Sequence, residues 1–340
     1  MNTTILMSVS NMKSGNIINY SLRVAKNIER KMIKDALVRL FGFSNTNNYE
    51  YIGFGSKYFT DFLLFHKYLH IDKMTSIEAD VDNKEKYKFN KPLKCIEMKF
   101  GLASDVISTM NFTSPSIVWL DYDGLLETSY LNDLSEVVTK SRDGSVVIIS
   151  YNSRPLKAKF LEGYTPGNEL NVIRDYVKSL IDDKYIELDE NFKGFGKWDR
   201  YSAFLRTVVL NAIRNSIDIK NRGLNPSDKF CFKQIFNFNY KDGVEMSTLG
   251  FVIHKVSTES NFENCQFQDF DFYRCDSDSY VIEVPMLTSK EIKALVEQMP
   301  LSGDALEDGS LPRNIFTKKD IDNFSRIYKY NPMFNDSEMT

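Results

Sequence analysis

Five short apolar segments recur between residues 49 and 152, each followed by a helical or turn-like stretch, and this alternation limits the possible folds more than any other feature. The segments are "YEYIGF" (49–54), "KMTSIEAD" (73–80), "LKCIEMKF" (93–100), "SIVWLDYD" (116–123) and "GSVVIISYN" (144–152). Each has the length and β-branched or aromatic content of a strand, and "KYFTDFLLFHKYLH" and "SYLNDLSEVVTKS" between them have helical periodicity. Strands separated by crossovers of this kind build a parallel sheet with helices on both faces. The expected fold is therefore α/β and doubly wound.

The chain has 340 residues, 42% hydrophobic and 26% charged, which is enough apolar material for a large core. Length alone suggests about two domains, or one domain with elaborations. An opening helix is expected over Tyr20–Leu40. Its apolar face carries Leu22, Ala25, Ile28, Ile33, Leu37 and Leu40, and its basic face carries Arg23, Lys26, Arg30, Lys31, Lys34 and Arg39. That basic face is read as solvated, with contact to a phosphate-bearing substrate as the alternative.

The expected organisation is a lead-in at 1–18, a nucleotide-binding domain at 19–159 and 223–256, a helical insertion at 160–222 and a C-terminal, helix-rich extension at 257–340. Aromatic alternation on either side of Asp242-Gly243 marks a closing antiparallel hairpin. "SYVIEVPM" is one more strand candidate. Thr288/Ser289 and Thr317 are plausible starts for two final helices.

Net charge is -3, so no global basic field draws the chain to nucleic acid or to an anionic membrane. No apolar run approaches the roughly 20 residues needed to span a bilayer, and the N-terminus does not read as a signal peptide. Cys95, Cys231, Cys265 and Cys275 form no C-x-x-C pair, which suits a reducing, cytoplasmic setting. His66 and His70 stand four apart, close enough on a helix to share a metal, but no third ligand accompanies them, and His254 reads as structural. No metal site is expected.

The chemistry is concentrated at the strand tips. The first strand ends in Gly53-Phe54-Gly55-Ser56, the second in Glu78-Ala79-Asp80, with Glu78 lying 23 positions after Gly55. A glycine turn followed by an acid at the second strand tip describes a nucleoside site, because one carboxylate can accept from both ribose hydroxyls. Tyr58 stands where a dinucleotide fingerprint wants its third glycine, which disfavours NAD or FAD, and there is no phosphate loop of the G-x-x-x-x-G-K-[ST] type. A ligand with ribose and no phosphate fits best, and S-adenosylmethionine is such a ligand.

At these residues the chain resembles the class I S-adenosylmethionine-dependent methyltransferase superfamily. The match rests on Gly53-Phe54-Gly55, on Glu78, on Asp121-Tyr122-Asp123 after the fourth strand and on the closing "FNFNYKDGVEMSTLGFVI", over roughly residues 20–255. "YSLRVAKNIERKM" further resembles the opening of bacterial proteins classed as O-methyltransferases without a known substrate. The resemblance implies a Rossmann-like sheet ending in an antiparallel hairpin. It also implies cofactor contacts at Gly53, Phe54, Gly55, Ser56, Glu78, Ala79 and Asp121. Catalytic roles fall to Asp121 or Asp123, either of which could align the acceptor or take its proton. The competing role for this pair is capping of the helix that follows.

Two features depart from the superfamily pattern: the acid before the glycine motif is Glu50, and Lys99-Phe100-Gly101 precedes Asp105 where an acid often contacts adenine. "DYDG" also lacks the prolines that mark DNA amino-methyltransferases at this point. Tyr122, with Trp198 and Arg200 of the glycine loop "KGFGKWDRY", is a candidate acceptor contact, and that loop a candidate lid. The expected activity is methyl transfer to oxygen or nitrogen of an unidentified small molecule, protein or nucleic acid. The alternatives are a non-catalytic binding or sensing module, an RNA or DNA methyltransferase, and a nicotinamide-dependent dehydrogenase; a protein partner or a homo-oligomer is compatible with the reading.

Overall fold

A computed structural model describes residues 23–301, 311–312 and 314–332. The lead-in at 1–18 and the first residues of the expected opening helix lie outside them.

The sheet has eight strands: β1 (Glu50–Gly53), β2 (Lys73–Glu78), β3 (Ile96–Phe100), β4 (Ser116–Leu125), β5 (Ser145–Asn152), β6 (Phe230–Asp242), β7 (Val244–Lys255) and β8 (Tyr280–Ile282). Their order is β3-β2-β1-β4-β5-β7-β6-β8. The first five are parallel, whereas β7 enters antiparallel between β5 and β6. This is the doubly wound, Rossmann-like architecture expected, closed by a hairpin at Asp242-Gly243. Gly243 has φ +91°, a left-handed conformation that the tight reversal requires and that glycine adopts without strain. β1 is fully buried, as a strand covered on both faces must be.

Helices cover the two faces in separate layers. On one face α1 (Val24–Val38) and α2 (Thr60–Leu69) pack Ile28, Met32, Ile33, Phe62 and Phe65 against Tyr51, Trp119, Ile148 and Phe238. On the other, α5 (Thr128–Lys140) and α7 (Trp198–Lys220) pack Leu131, Val138, Leu205, Val208 and Ile213 against Val118, Val147, Ile149 and Phe251. The short α3 (Lys84–Asn90) and α4 (Ala103–Thr109) complete the crossovers around β3, α6 (Glu169–Leu180) precedes α7, and α8 (Glu259–Asn264) follows β7.

The segment 160–222 is therefore not uniformly an insertion, because α7 is one of the covering helices of the sheet. The segment from 257 likewise returns a strand, since β8 pairs parallel to β6. The last helices, α9 (Ser289–Val296) and α10 (Lys318–Ile327), begin as expected. Thr288 and Thr317 each form a capping box, with Glu291 and Asp320 respectively.

One expectation is corrected. The basic face of α1 is not a solvated surface: Lys26 is 2% and Arg30 5% exposed. Helix α1 lies along the hairpin, where Arg23 pairs with Asp242 at 3.3 Å and Lys26 reaches Tyr240 Oη at 3.1 Å. Among the described residues no helix is long and apolar enough to cross a membrane.

Candidate active site

A cavity of about 620 Å³ opens at the carboxyl ends of β1, β2 and β4, where a doubly wound sheet places its ligand crevice. β1 delivers Phe54, Gly55 and Ser56, β2 delivers Glu78 and Ala79, and β4 delivers Asp121, Tyr122 and Asp123. The loop after β3 adds Gly101, Leu102 and Ser104, α5 adds Tyr130 and Asp133, and α1 contributes Arg30. Eight of the sequence-derived site residues thus share one wall system, while Gly53 sits one residue below it, at the end of β1.

The turn 54–59 is held by protein packing. Gly55 N–H donates to Ser76 Oγ at 3.1 Å, and Phe59 N–H donates to Gly55 O at 2.7 Å. A Cβ on Gly55 would lie 2.5 Å from the Phe59 ring and 2.6 Å from Ser76 Oγ; one on Gly53 would lie 2.5 Å from Tyr51 Oη. Both glycines are forced by neighbouring side chains of this chain before any ligand arrives. Ser56 and Phe59 have φ of +46° and +50°, a left-handed backbone that costs on the order of 1–3 kcal/mol at each non-glycine residue.

At the tip of β2, Glu78 Oε1 accepts from Asp80 N–H at 2.8 Å, which orients the carboxylate beside the cavity. Asp80 is buried and accepts from Asn83 at 3.0 Å and from Tyr87 Oη at 3.3 Å, so it supports the loop. Glu50 is at the opposite end of β1, paired with Lys73 at 2.9 Å, and is not a cavity residue. Asp105 does not line the cavity either; Leu102, Ala103 and Ser104 occupy that wall.

Beneath the β4 tip is a buried ionic cluster. Lys26 Nζ lies 2.6 Å from Asp121 Oδ1 and 2.9 Å from Glu29 Oε2, and it sits 4.7 Å above the centre of the Trp119 ring. Burial works against the charge on Lys26, but Asp121 and then Glu29 outweigh it and hold the amine well above the ordinary lysine value. Burial likewise opposes the charge on Asp121, and Lys26 and Arg30 overcome it, leaving its carboxyl below the usual range. Asp61, whose carboxylate accepts from Tyr51 Oη, is pushed up by burial despite Arg30 nearby. Arg30 Nε and Nη1 are buried with no hydrogen-bond partner, although the side chain lines the cavity.

The opposite wall is aromatic and acidic. Tyr122 stacks on Tyr130 at 3.7 Å and meets Phe54 edge-on at 5.2 Å. Tyr122 Oη donates to Asp133 Oδ2 at 2.6 Å, and burial raises the Asp133 carboxyl above the ordinary aspartate value. Asp121 and Asp123 do not cap α5, whose N-cap is Glu127.

Asp133, Tyr130 and Arg30 were missed by sequence reasoning. Asp133 and Tyr130 lie on a helix whose register to β4 only the fold supplies. Arg30 was visible as one cation among six. The glycine loop is placed elsewhere: Phe195 is fully buried, Trp198 Nε1–H donates to Ser153 Oγ at 2.9 Å, and Arg200 pairs with Glu190, so neither Trp198 nor Arg200 lines the cavity. His66 has Asp72 and Cys95 beside it, not His70.

Comparison with known proteins gives one match in sequence. Residues 18–339 match the model of the family described as "Putative O-methyltransferase". No curated protein matches the chain. Solved structures with a related fold include the O-methyltransferase TomG from Streptomyces achromogenes in complex with SAM (13% identity, covering 66% of this chain and 80% of that one, TM-score 0.35). The O-methyltransferase from Bacillus cereus in complex with SAH is similar at 12% identity, with coverage of 71% and 86% and a TM-score of 0.37. Trm1 from Pyrococcus horikoshii with S-adenosyl-L-methionine is similar at 10% identity, with coverage of 73% and 61% and a TM-score of 0.40.

Proposed function

The chain belongs to this O-methyltransferase family, and from that premise we propose that the cavity binds S-adenosylmethionine and directs its methyl group to an oxygen, or alternatively a nitrogen, of a small acceptor. The observation that carries the reading is the conjunction, in one cavity, of the Gly55 turn, the Glu78 carboxylate and the Arg30 guanidinium, whose buried Nε and Nη1 have no hydrogen-bond partner. A nucleoside with an amino-acid tail asks for these three groups: a close backbone, an acceptor for ribose hydroxyls, and a cation for the tail carboxylate. Buried guanidinium N–H groups without a hydrogen bond are costly, so a carboxylate that satisfied Nε and Nη1 would be favoured. The residues present therefore fit the cofactor.

When bound, S-adenosylmethionine supplies a methyl group on a sulfonium, which a nucleophile can displace in one step. Glu78 would hold the ribose, Leu102, Ala103 and Ser104 would flank the base, and Arg30 the tail carboxylate. Asp121 is kept ionised by Lys26, so it suits the positive amino group of the tail better than it suits proton abstraction. Asp123 and Asp133 are the other cavity carboxylates in place to take an acceptor's proton, and burial raises the affinity of Asp133 for one. Phe54, Tyr122 and Tyr130 form an apolar wall for a planar acceptor. Asp123, Glu127 and Asp133 at the same wall would repel a nucleic-acid backbone. A cytoplasmic setting remains part of the proposal.

The test is calorimetric titration with S-adenosylmethionine, with S-adenosylhomocysteine and, separately, with NAD. Binding of the first two, weakened at least tenfold by Glu78→Gln, is the expected result. Binding of NAD alone, or of none of them, would sink the reading.

A further inference from the structure

At the far end of the hairpin from the cavity, Cys231 of β6 faces His254 of β7 directly across the ladder. Their side chains meet with Cys231 Sγ 3.5 Å from His254 Nε2. Glu259, the first residue of α8, brings Oε2 to 3.7 Å from the same nitrogen, and one ligand atom from each residue lies within 4.8 Å of the others. We propose that Cys231, His254 and Glu259 form a binding site for one zinc-class divalent cation, which ties the open end of the hairpin to α8.

The Sγ–Nε2 and Nε2–Oε2 separations are close to those of ligands around a shared ion, but Sγ also lies 3.7 Å from Nδ1, beside the ring, so binding requires the Cys231 side chain to turn toward the Nε2 lone pair. Tetrahedral zinc with its usual bond lengths separates sulfur from nitrogen by about 3.6 Å and nitrogen from carboxylate oxygen by about 3.4 Å. The surroundings prepare each donor. His254 Nδ1 lies 2.9 Å from the Lys255 carbonyl oxygen, to which it donates when it carries the ring proton, leaving Nε2 as the lone-pair nitrogen. The ring is fully buried between Phe43, 5.8 Å away, and Phe262, stacked at 5.5 Å, so it cannot swing out. Lys233 Nζ takes Glu259 Oε1 at 2.9 Å and leaves Oε2 toward the histidine.

Besides the imidazole nitrogens, the thiol contacts the His254 carbonyl oxygen at 3.5 Å, which is at best a weak hydrogen bond. Cys231 and Glu259 are only half-buried, which leaves a fourth position for water. A thiolate, an imidazole and a carboxylate together favour zinc over magnesium or calcium. Ligand deprotonation on binding means that uptake releases the thiol proton to solvent.

The experiment uses the full chain, stripped with a chelator and loaded with Co²⁺ or Zn²⁺. Cobalt is expected to give a near-ultraviolet thiolate charge-transfer band, and zinc one equivalent by mass spectrometry and a higher melting temperature. Cys231→Ser should abolish the band and the retained zinc while the stripped variant melts where the stripped wild type does. Glu259→Gln should weaken uptake at least tenfold. Cys95→Ser, beside His66 and Asp72, should change neither. Absence of the band in wild type, its survival in Cys231→Ser, or its loss in Cys95→Ser would overturn the proposal. None of these readouts depends on methyl transfer.

Discussion

The ammonium of Lys26 lies 2.6 Å from the carboxylate of Asp121, so the first described helix supplies the counter-charge for the tip of the fourth strand. The pair is buried on the lysine side and reaches the cavity on the aspartate side. It couples the integrity of α1 to the electrostatics of the site.

Breaking one side of that pair should cost far more than removing both. Lys26→Met strands Asp121 and Glu29 in a low-dielectric setting, and a loss of about 3–5 kcal/mol is expected from chemical denaturation. Lys26→Met combined with Asp121→Asn should lose less than the sum of the single changes, which a double-mutant cycle measures. Additivity would mean that the two side chains do not interact.

Gly55→Ala should damage both stability and ligand binding. Its methyl would press into the Phe59 ring and Ser76 Oγ, and an overpacked site of this kind loses about 1–3 kcal/mol. Thermal unfolding of the unliganded variant reads the first effect, and titration with S-adenosylhomocysteine the second. An unchanged melting temperature would show that the turn yields easily.

The guanidinium of Arg30 should discriminate between ligands with and without the amino-acid tail. Arg30→Met is expected to weaken S-adenosylhomocysteine at least tenfold and to leave 5′-methylthioadenosine unchanged, because the latter has no carboxylate to offer. Equal loss for both ligands would place Arg30 outside the tail contact.

Asp133 gives a pH signature of definite sign. Its carboxyl is raised in the folded chain, chiefly by burial, so the native state holds a proton that the unfolded state releases at about 3.9. That stabilisation is complete below the unfolded value and is lost as pH rises through the folded one. Asp133→Asn removes the titration, so its stability relative to wild type should rise with pH across that window. Denaturation curves from pH 3.5 to 8 test this, and a constant difference would remove Asp133 from the titrating groups.

The strand tips were legible in the sequence because alternation and punctuation are local. Gly55, Glu78 and Asp121 could be placed at one edge as soon as the parallel order was inferred. What stayed hidden were contacts set by register between distant segments. Lys26 read as a solvent-facing cation because helical periodicity gives its face but not its neighbour, and that neighbour is the hairpin more than 200 residues later. Tyr130 and Asp133 follow from how α5 seats on β4. The glycine loop misled in the opposite direction: its glycines suggested mobility, while Phe195 anchors it in the core. Cys231 and His254 stand 23 positions apart and meet only through hairpin pairing.

The contact between Lys26 and Tyr240 spans 214 residues, and this has a consequence for biogenesis. A chain growing on the ribosome completes the first five strands long before the hairpin exists, and loops of that length close late. Until β6 arrives, Lys26 lacks its Tyr240 contact and α1 has no hairpin to lie along. The support beneath Asp121 is thus completed only after β6 is made, and competence to hold a ligand becomes a checkpoint on completion of the sheet.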